Sequence, residues 1–400
     1  MNDSVSTAAH ELELLENGRE YYDSAFAAIR EARREVMLET FIWFWDDVGK
    51  HMMDALEVAA SNGATVDITV DGFGTPDLPE ECLRRMSEFG IKLHIFDPSP
   101  RIFGMRPKWV GRMHRKLVVV DNDVAFVGGI NYSDDHLIAD GPMAKQDYAV
   151  RVRGPVVREI RHYVRRSIDN GLGYLRKPRW PKYRRLPADW RDEVPENAVI
   201  FVSRDNADHQ DDIERYYLMS IRAAKQEIVI ANAYFFPSYR MLRHMRKSVR
   251  RGVRVILILQ GKPDVEYARA AASTLYDYLL NAGVELYEFT ERPFHGKIAV
   301  FDGEWSTIGS SNLDPLSFSL NLEANLFVRD HDFGSTMRAK MDKLLASSER
   351  ITRQQIPKQT GWRHLLRIMA FHIARRFPHW LKRLPGYRQE FDDDKPSRIT

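Results

Sequence analysis

The chain has 400 residues, of which 44% are hydrophobic and 29% charged, and 59 Lys and Arg against 56 Asp and Glu give a formal net charge of +3. That length exceeds what one hydrophobic core usually organises, so two domains or a duplicated domain is expected, and the balance of apolar and charged residues excludes a disordered chain. A single cysteine, Cys82, excludes internal disulfides and cysteine-based metal clusters and reads as a buried thiol.

The first residues, MNDSVSTAAHELELLENG, are polar and acidic where a secretory signal would be basic and then apolar. No apolar run approaches the roughly 18 residues of a spanning helix. The expectation is a protein without a targeting peptide that meets any membrane peripherally.

Taken in order, the elements are written twice. From near Leu12, an amphipathic helix with Tyr22, Phe26 and Ile29 on one face leads into the apolar run from Val36 to Leu38. A second helix ends at Ser61-Asn62-Gly63, and ATVDITVDG follows with the β-branched alternation of a strand. From near Val199 the programme repeats: a helix with Ile213, Tyr216, Tyr217 and Ala224, the strand EIVIANAYFF, a basic helix, and the strand GVRVILILQG. Strands alternating with helices predict an α/β fold of two halves related by a pseudo-two-fold axis, each a mixed, mostly parallel sheet flanked by helices, with the site between them. Residues 1–173 form the first half and 198–358 the second. The Pro-, Arg- and Trp-rich stretch 174–197 is the connector and 359–400 a basic tail. The acidic stretch from Asp205 to Glu214 reads only as a solvated loop and helix start.

Chemistry is carried by a repeated pattern. MHRKLVVVD places His114, Lys116 and Asp121 as HxKxxxxD, and FVGGIN adds Gly128, Gly129 and Asn131. FHGKIAVFD and TIGSSN supply His295, Lys297, Asp302, Gly309, Ser310 and Asn312, with the same 17 residues from His to Asn in both copies. A lone His before a strand is ordinarily a hydrogen-bonding residue and a lone Lys a solvated one; duplication at matched spacing argues otherwise. Residues two apart on an extended segment face one side, so each His and Lys share a surface. Two imidazoles, two ammonium groups and two amides around one cavity fit a phosphodiester. A metal is not expected, because a Lys beside each His repels a cation, and no cofactor is implied.

These residues resemble the phospholipase D superfamily, whose hallmark is a duplicated HKD motif followed by a Gly/Ser-x-Asn turn. Segments such as ETFIWFWDDVGK, RMHRKLVVVD, AKQDYAV, IANAYFFP and GSSNLDPLSFSLNLEAN are similar to the bacterial cardiolipin synthases of the B type, from about residue 12 to about residue 385. The resemblance implies two phospholipase D-like halves and a phosphatidyltransferase that joins two phosphatidylglycerol molecules through a phosphohistidine, releasing glycerol. It implies His114, Lys116, Asp121, His295, Lys297 and Asp302 as the catalytic set, Asn131 and Asn312 on the phosphate, and Glu323 and Asp147 orienting His114 and His295 crosswise. Asp121 and Asp302, at strand ends, also read as ties for a turn. The residues alone do not separate the two histidines, nor transfer from hydrolysis by a phospholipase; a nuclease of the same superfamily is a further alternative.

The tail GWRHLLRIMAFHIARRF sets Trp362, Leu365, Leu366, Met369, Ile373 and Phe377 on one helical face, with Arg363, Arg367, Arg375 and Arg376 on the remainder. Apolar burial and attraction to anionic lipid suit the membrane interface, with a core-packing helix as the bland alternative. The loop PSPRIFGMRPKWVGRM, with Phe103 and Trp109 among Arg and Lys, is a second candidate contact, although aromatics among bases also suit a nucleic-acid strand. The expected partners are phosphatidylglycerol and an anionic membrane surface, not nucleic acid, at the bacterial inner membrane, peripheral and on its cytoplasmic side.

Overall fold

The computed structural model describes residues 4–6, 9–98, 111–137, 143–169, 194–262 and 272–355. Sixteen strands form two eight-stranded sheets, one from each half. The first holds β1 (Ser4–Ser6), β2 (Glu11–Glu16), β3 (Glu35–Thr40), β4 (Thr65–Asp71), β5 (Lys92–Phe96), β6 (Leu117–Val120), β7 (Val124–Gly128) and β8 (Tyr148–Arg153), in the order β1-β2-β8-β7-β6-β3-β4-β5. The second holds β9 (Ala198–Arg204), β10 (Glu227–Asn232), β11 (Arg254–Gln260), β12 (Glu285–Phe289), β13 (Lys297–Phe301), β14 (Trp305–Gly309), β15 (Glu323–Arg329) and β16 (Ser348–Ile351), in the order β16-β12-β11-β10-β13-β14-β15-β9. Read from β2 and from β9, the seven shared strands follow the same order, and β1 and β16 are edge additions peculiar to each half.

The sheets are mixed, as expected, but parallel pairing does not predominate. Among the described strands β3-β4-β5 and β10-β11-β12 run parallel, each strand leading through a helix into the neighbour it pairs with. The HKD strands β6 and β13 turn straight back into β7 and β14, so they and their neighbours pair antiparallel. Each hairpin uses two consecutive positive φ values, at Asp121 and Asn122 (53° and 58°) and at Asp302 and Gly303 (55° and 69°), the residue types that tolerate a left-handed turn. Two strands escape the helical periodicity. ELELLE and AVIFVSR, next to the expected helices, pair with β8 and β15 instead, and the helices begin only at Asn17 and Asp212.

Helices α1 (Asn17–Glu31), α2 (Asp47–Ser61) and α3 (Glu80–Glu88) cover the outer face of the first sheet. Cys82, on α3, is buried as expected. Helices α5 (Asp212–Ala223), α6 (Tyr239–Arg250) and α7 (Tyr276–Asn281) cover the second sheet's outer face, and the short α8 (Pro315–Ser319) follows the Asn312 turn. Between the sheets lie α4 (Val156–Asp169) and α9 (His331–Ala346). The HKD strands alternate accordingly: Leu117 and Val119 face the core between the sheets while Val118 and Val120 face the outer helices, and Ile298 and Val300 against Ala299 and Phe301 repeat this. Connector residues 174–193 and the tail from 356 lie outside the described residues. So do the membrane candidates Phe103, Trp109, Trp362, Arg363, Leu366 and Arg367.

At the far end of each HKD strand the aspartate is a tie. The Asp121 carboxylate accepts N–H groups from Arg33, Arg34 and Glu35 at 2.8, 2.8 and 2.9 Å. Asp302 accepts from Lys225, Gln226 and Glu227 at 2.8, 2.8 and 3.0 Å. Burial works to raise the Asp121 carboxyl, but the backbone donors together hold it below the ordinary range. Each tie pins the segment entering β3 or β10, and at ~3.3 Å per residue it stands more than 10 Å along the strand from the histidine. Asp302→Ala should therefore lower stability by about 2–3 kcal/mol in urea unfolding, with turnover per folded molecule within about two-fold of wild type.

Candidate active site

The residue before each motif histidine belongs to a backbone bridge that crosses between the halves. His114 N–H donates to Leu322 O (2.9 Å) and Leu322 N–H to Arg112 O (2.8 Å). His295 N–H donates to Gln146 O (2.8 Å) and Gln146 N–H to Pro293 O (2.8 Å). Leu322 and Gln146 are followed directly by Glu323 and Asp147, so the bridges carry each carboxylate to the other half's imidazole. Glu323 Oε2 lies 3.1 Å from His114 Nδ1, and Asp147 Oδ2 lies 2.6 Å from His295 Nδ1. An ionised carboxylate only accepts, so Nδ1 carries a proton and Nε2 is the nitrogen left to face the substrate. The side chains are 12% and 9% exposed for His114 and His295, and the carboxylates are fully buried.

The lysines are buried beside their histidines. Lys116 Nζ donates to His114 O at 2.8 Å and lies 5.3 Å from the Phe41 ring centroid. Lys297 Nζ donates to His295 O and lies 3.0 Å from His295 Nδ1. Loss of water pulls the Lys116 ammonium down to about 7, with Glu323 opposing and Lys297 adding to the fall. Burial likewise lowers His114, against the pull of Glu323. Burial pushes the Asp147 carboxyl up, against Lys297 and His136. For Glu323 burial pushes upward too, but His114, Lys116 and the Ser310 hydroxyl together hold it below the ordinary range.

Asn131 and Asn312, both nearly fully buried, lie in the turns after β7 and β14. Asn131 Oδ1 accepts Ile42 N–H at 3.2 Å, which leaves its NH2 as the donor for a ligand. Asn312 Oδ1 is buried and has no hydrogen-bond partner among the described residues. The predicted histidines, lysines, orienting carboxylates and asparagines thus converge, whereas Asp121 and Asp302, read as part of the catalytic set, stand at the remote strand ends.

Further contacts to the site come from Ser310 of the motif turn and from residues that the motif does not include. Ser310 Oγ donates to Glu323 Oε2 at 2.5 Å, while at the matching position a side chain is impossible, because a Cβ on Gly129 would collide with Asp147 Oδ1. Arg112, 4% exposed, pairs through Nε with Asp71 (3.1 Å) and through Nη2 with Asp97 (3.1 Å), while Met113 N–H donates to the same Asp71 carboxylate (2.8 Å). This buckle fixes the approach to His114; in the second half Pro293 stands in its place. His136, 1% exposed, lies with its ring centroid 5.8 Å from that of His295. Ligand-type atoms of His136, Asp147 and His295 fall within 4.8 Å of one another, a grouping that suits a divalent ion by donor type, but the Lys297 ammonium on His295 Nδ1 places a positive charge against it. The signal for His136 was a histidine five residues past Asn131 where the other copy has Ser317. The acidic stretch forms a capped loop, Asp205 Oδ1 accepting N–H groups from Ala207 and His209, beside a cleft of about 300 Å³ lined by Tyr163, His209 and Tyr216. None of the motif residues lines that cleft.

Residues 26–166 and 217–345 match the family model described as cardiolipin synthase, PLD-like domain. The chain is 45% identical to cardiolipin synthase B of Escherichia coli K12 over 393 residues, 98% of this chain and 94% of that protein. It is 45% identical to cardiolipin synthase B of Salmonella typhimurium LT2 over 94% of this chain and 91% of the other. Among solved structures, phosphatidylserine synthase of Haemophilus influenzae Rd KW20 superimposes with a TM-score of 0.63 at 13% identity, covering 95% of this chain and 96% of that one, a likeness of fold. With two matched halves and close relatives along nearly its whole length, the chain belongs to the phospholipase D-like cardiolipin synthase family.

Proposed function

We propose that the protein transfers a phosphatidyl group from one phosphatidylglycerol to another, giving cardiolipin and free glycerol. The observation that carries this reading is the pair of imidazoles, each held through Nδ1 by a buried carboxylate of the opposite half. Near-full-length similarity to cardiolipin synthase B supports the lipid substrate. His114 is the nucleophile: its lowered basicity keeps Nε2 unprotonated at neutral pH. Nε2 attacks phosphorus, the bond from phosphorus to the head-group glycerol oxygen breaks, and His295 protonates the departing oxygen. Neutral His295 then takes the proton from the primary hydroxyl of a second phosphatidylglycerol. That oxygen attacks the phosphohistidine, the P–N bond breaks, and His114 is restored. One phosphodiester replaces another, so no nucleotide enters the balance. Lys116, Lys297, Asn131 and Asn312 hold the non-bridging oxygens as charge grows, and Asp121 and Asp302 support the strands.

The working units on this reading are 1–173 and 198–358, linked by 174–197 and followed by the tail 359–400. The protein would sit peripherally on the anionic, cytoplasmic side of the bacterial inner membrane, held by the Phe103 and Trp109 loop and the Trp362 to Arg367 segment. Exposed apolar side chains near the site support this. Phe73, 42% exposed, packs on Arg112 two residues before His114, and Met143, 70% exposed, stands four residues before Asp147. Among the described residues no helix is long and apolar enough to cross a membrane.

Purified protein incubated with phosphatidylglycerol vesicles should yield cardiolipin and glycerol in equal amounts by mass spectrometry; phosphatidic acid as the main product, or no lipid turnover, would overturn the reading. His114→Ala and His295→Ala should each lower turnover by about 10⁴-fold or more, and Glu323→Gln by about 10²- to 10³-fold, with the fold retained by circular dichroism. Because Lys116 loses its proton above about 7, affinity for diethyl phosphate, which stays a monoanion, should weaken in calorimetry as pH rises from 6.5 to about 8.5. Lys116→Met should flatten that dependence.

A further inference from the structure

We propose that His136 is a positioning residue for His295, a brace present in one half only that couples the phosphate-holding turn at Asn131 to the imidazole of the opposite half. This rests on His295 being the group that protonates the departing alcohol.

His136 ends the short 3-10 turn Asp134–His136, which is held from several sides. Tyr22 Oη donates to Asn131 O (2.6 Å) and Ser133 O (3.0 Å), Asp134 N–H donates to Asp46 Oδ2 (2.8 Å), and Val48 N–H to Asp134 Oδ1 (3.0 Å). Gly18 packs so closely on the His136 carbonyl that a Cβ there would collide with it. From this fixed base the imidazole touches two functional groups. Its Nε2 accepts Asn131 N–H at 3.4 Å, and its ring meets the His295 ring at 73°, edge to face. Tyr234 meets His295 the same way, at 86° and 6.4 Å between centroids. Two perpendicular rings at that spacing restrict rotation of the imidazole between them. Burial, together with the nearby positive groups, keeps His136 neutral, so it braces without adding charge.

Among the described residues the second half shows no such device. The residue matching His136 is Ser317, on α8, and the ring packed on His114 is Phe41, 5.1 Å away and tilted at 59°. Among the described residues, one of the two histidines is therefore clamped through the opposite half's turn. A proton donor must keep Nε2 on the leaving oxygen while bonds around phosphorus change, so loss of the brace should harm the step that needs a proton and spare one that does not.

The test compares two leaving groups on the same phosphatidyl donor. In stopped flow, the first-turnover burst of p-nitrophenol from its phosphatidyl ester needs little acid assistance; release of glycerol from phosphatidylglycerol needs it. His136→Ser, which installs the second half's residue, should keep the burst rate within about two-fold while slowing glycerol release at least about ten-fold in kcat, with KM little changed. His136→Phe retains the ring edge and should recover most of the loss. Equal slowing on both substrates, or no slowing on either, overturns the proposal. Should His136→Ser fail to fold, the ratio of the two rates in His136→Asn, which keeps an acceptor but no ring, decides in the same way. A wild type that gives the burst but no glycerol would count against phosphatidylglycerol, and phosphatidylethanol then serves as the poor leaving group.

Discussion

Everything at the site depends on two backbone bridges that cross between the halves. Arg112 O to Leu322 N and Leu322 O to His114 N form one, and Pro293, Gln146 and His295 form the other. Backbone hydrogen bonds of this kind fix register, and register decides which side chain faces the site. Because Glu323 and Asp147 directly follow the bridging residues, the same hydrogen bonds that join the sheets also aim each carboxylate at a histidine. Assembly of the halves and orientation of the imidazoles are one event. The remainder of the fold serves those bridges: the aspartate ties pin the entry to β3 and β10, and α4 and α9 fill the space between the sheets.

Symmetry of the backbone does not carry through to the chemistry. Glu323 receives a hydroxyl from Ser310, whereas Asp147, one methylene shorter, fills the space that Gly129 leaves open. The two carboxyls are displaced in opposite directions: burial raises Asp147 above the ordinary range, while for Glu323 burial is outweighed by His114, Lys116 and Ser310, which hold it below. Arg112 buckles one approach loop through Asp71 and Asp97, where Pro293 restricts the other. A duplicated scaffold has thus come to hold two unlike histidine–carboxylate pairs, and on the proposed mechanism that is the difference a two-step transfer asks of a nucleophile and a proton donor.

Much of this was legible in the residues. Matched spacing located the histidines, lysines and asparagines, because a strand leading into a glycine turn has few degrees of freedom. The crosswise carboxylates came from family resemblance, since 209 residues separate His114 from Glu323 and no local pattern spans that gap. Strand direction was misjudged: helix-strand alternation marks β3, β4, β10 and β11 correctly but says nothing of the hairpins that follow. ELELLE and AVIFVSR read as parts of the neighbouring helices, because each strand pairs with a partner more than a hundred residues away. His136 could not be weighed at all without burial, which a side chain acquires only when both halves close over it.

The crossed carboxylates also have a genetic consequence. Each acid–base pair draws one member from each half, so a lesion in the first half disables its own histidine or starves the second half's histidine of its carboxylate. Two defective copies of the gene, one damaged at Glu323 and the other at His114, would each lack the same pair while keeping the one between Asp147 and His295, so neither polypeptide would hold both. Rescue of one allele by the other would therefore require exchange of whole halves between chains, and ordinary coexpression would leave both silent.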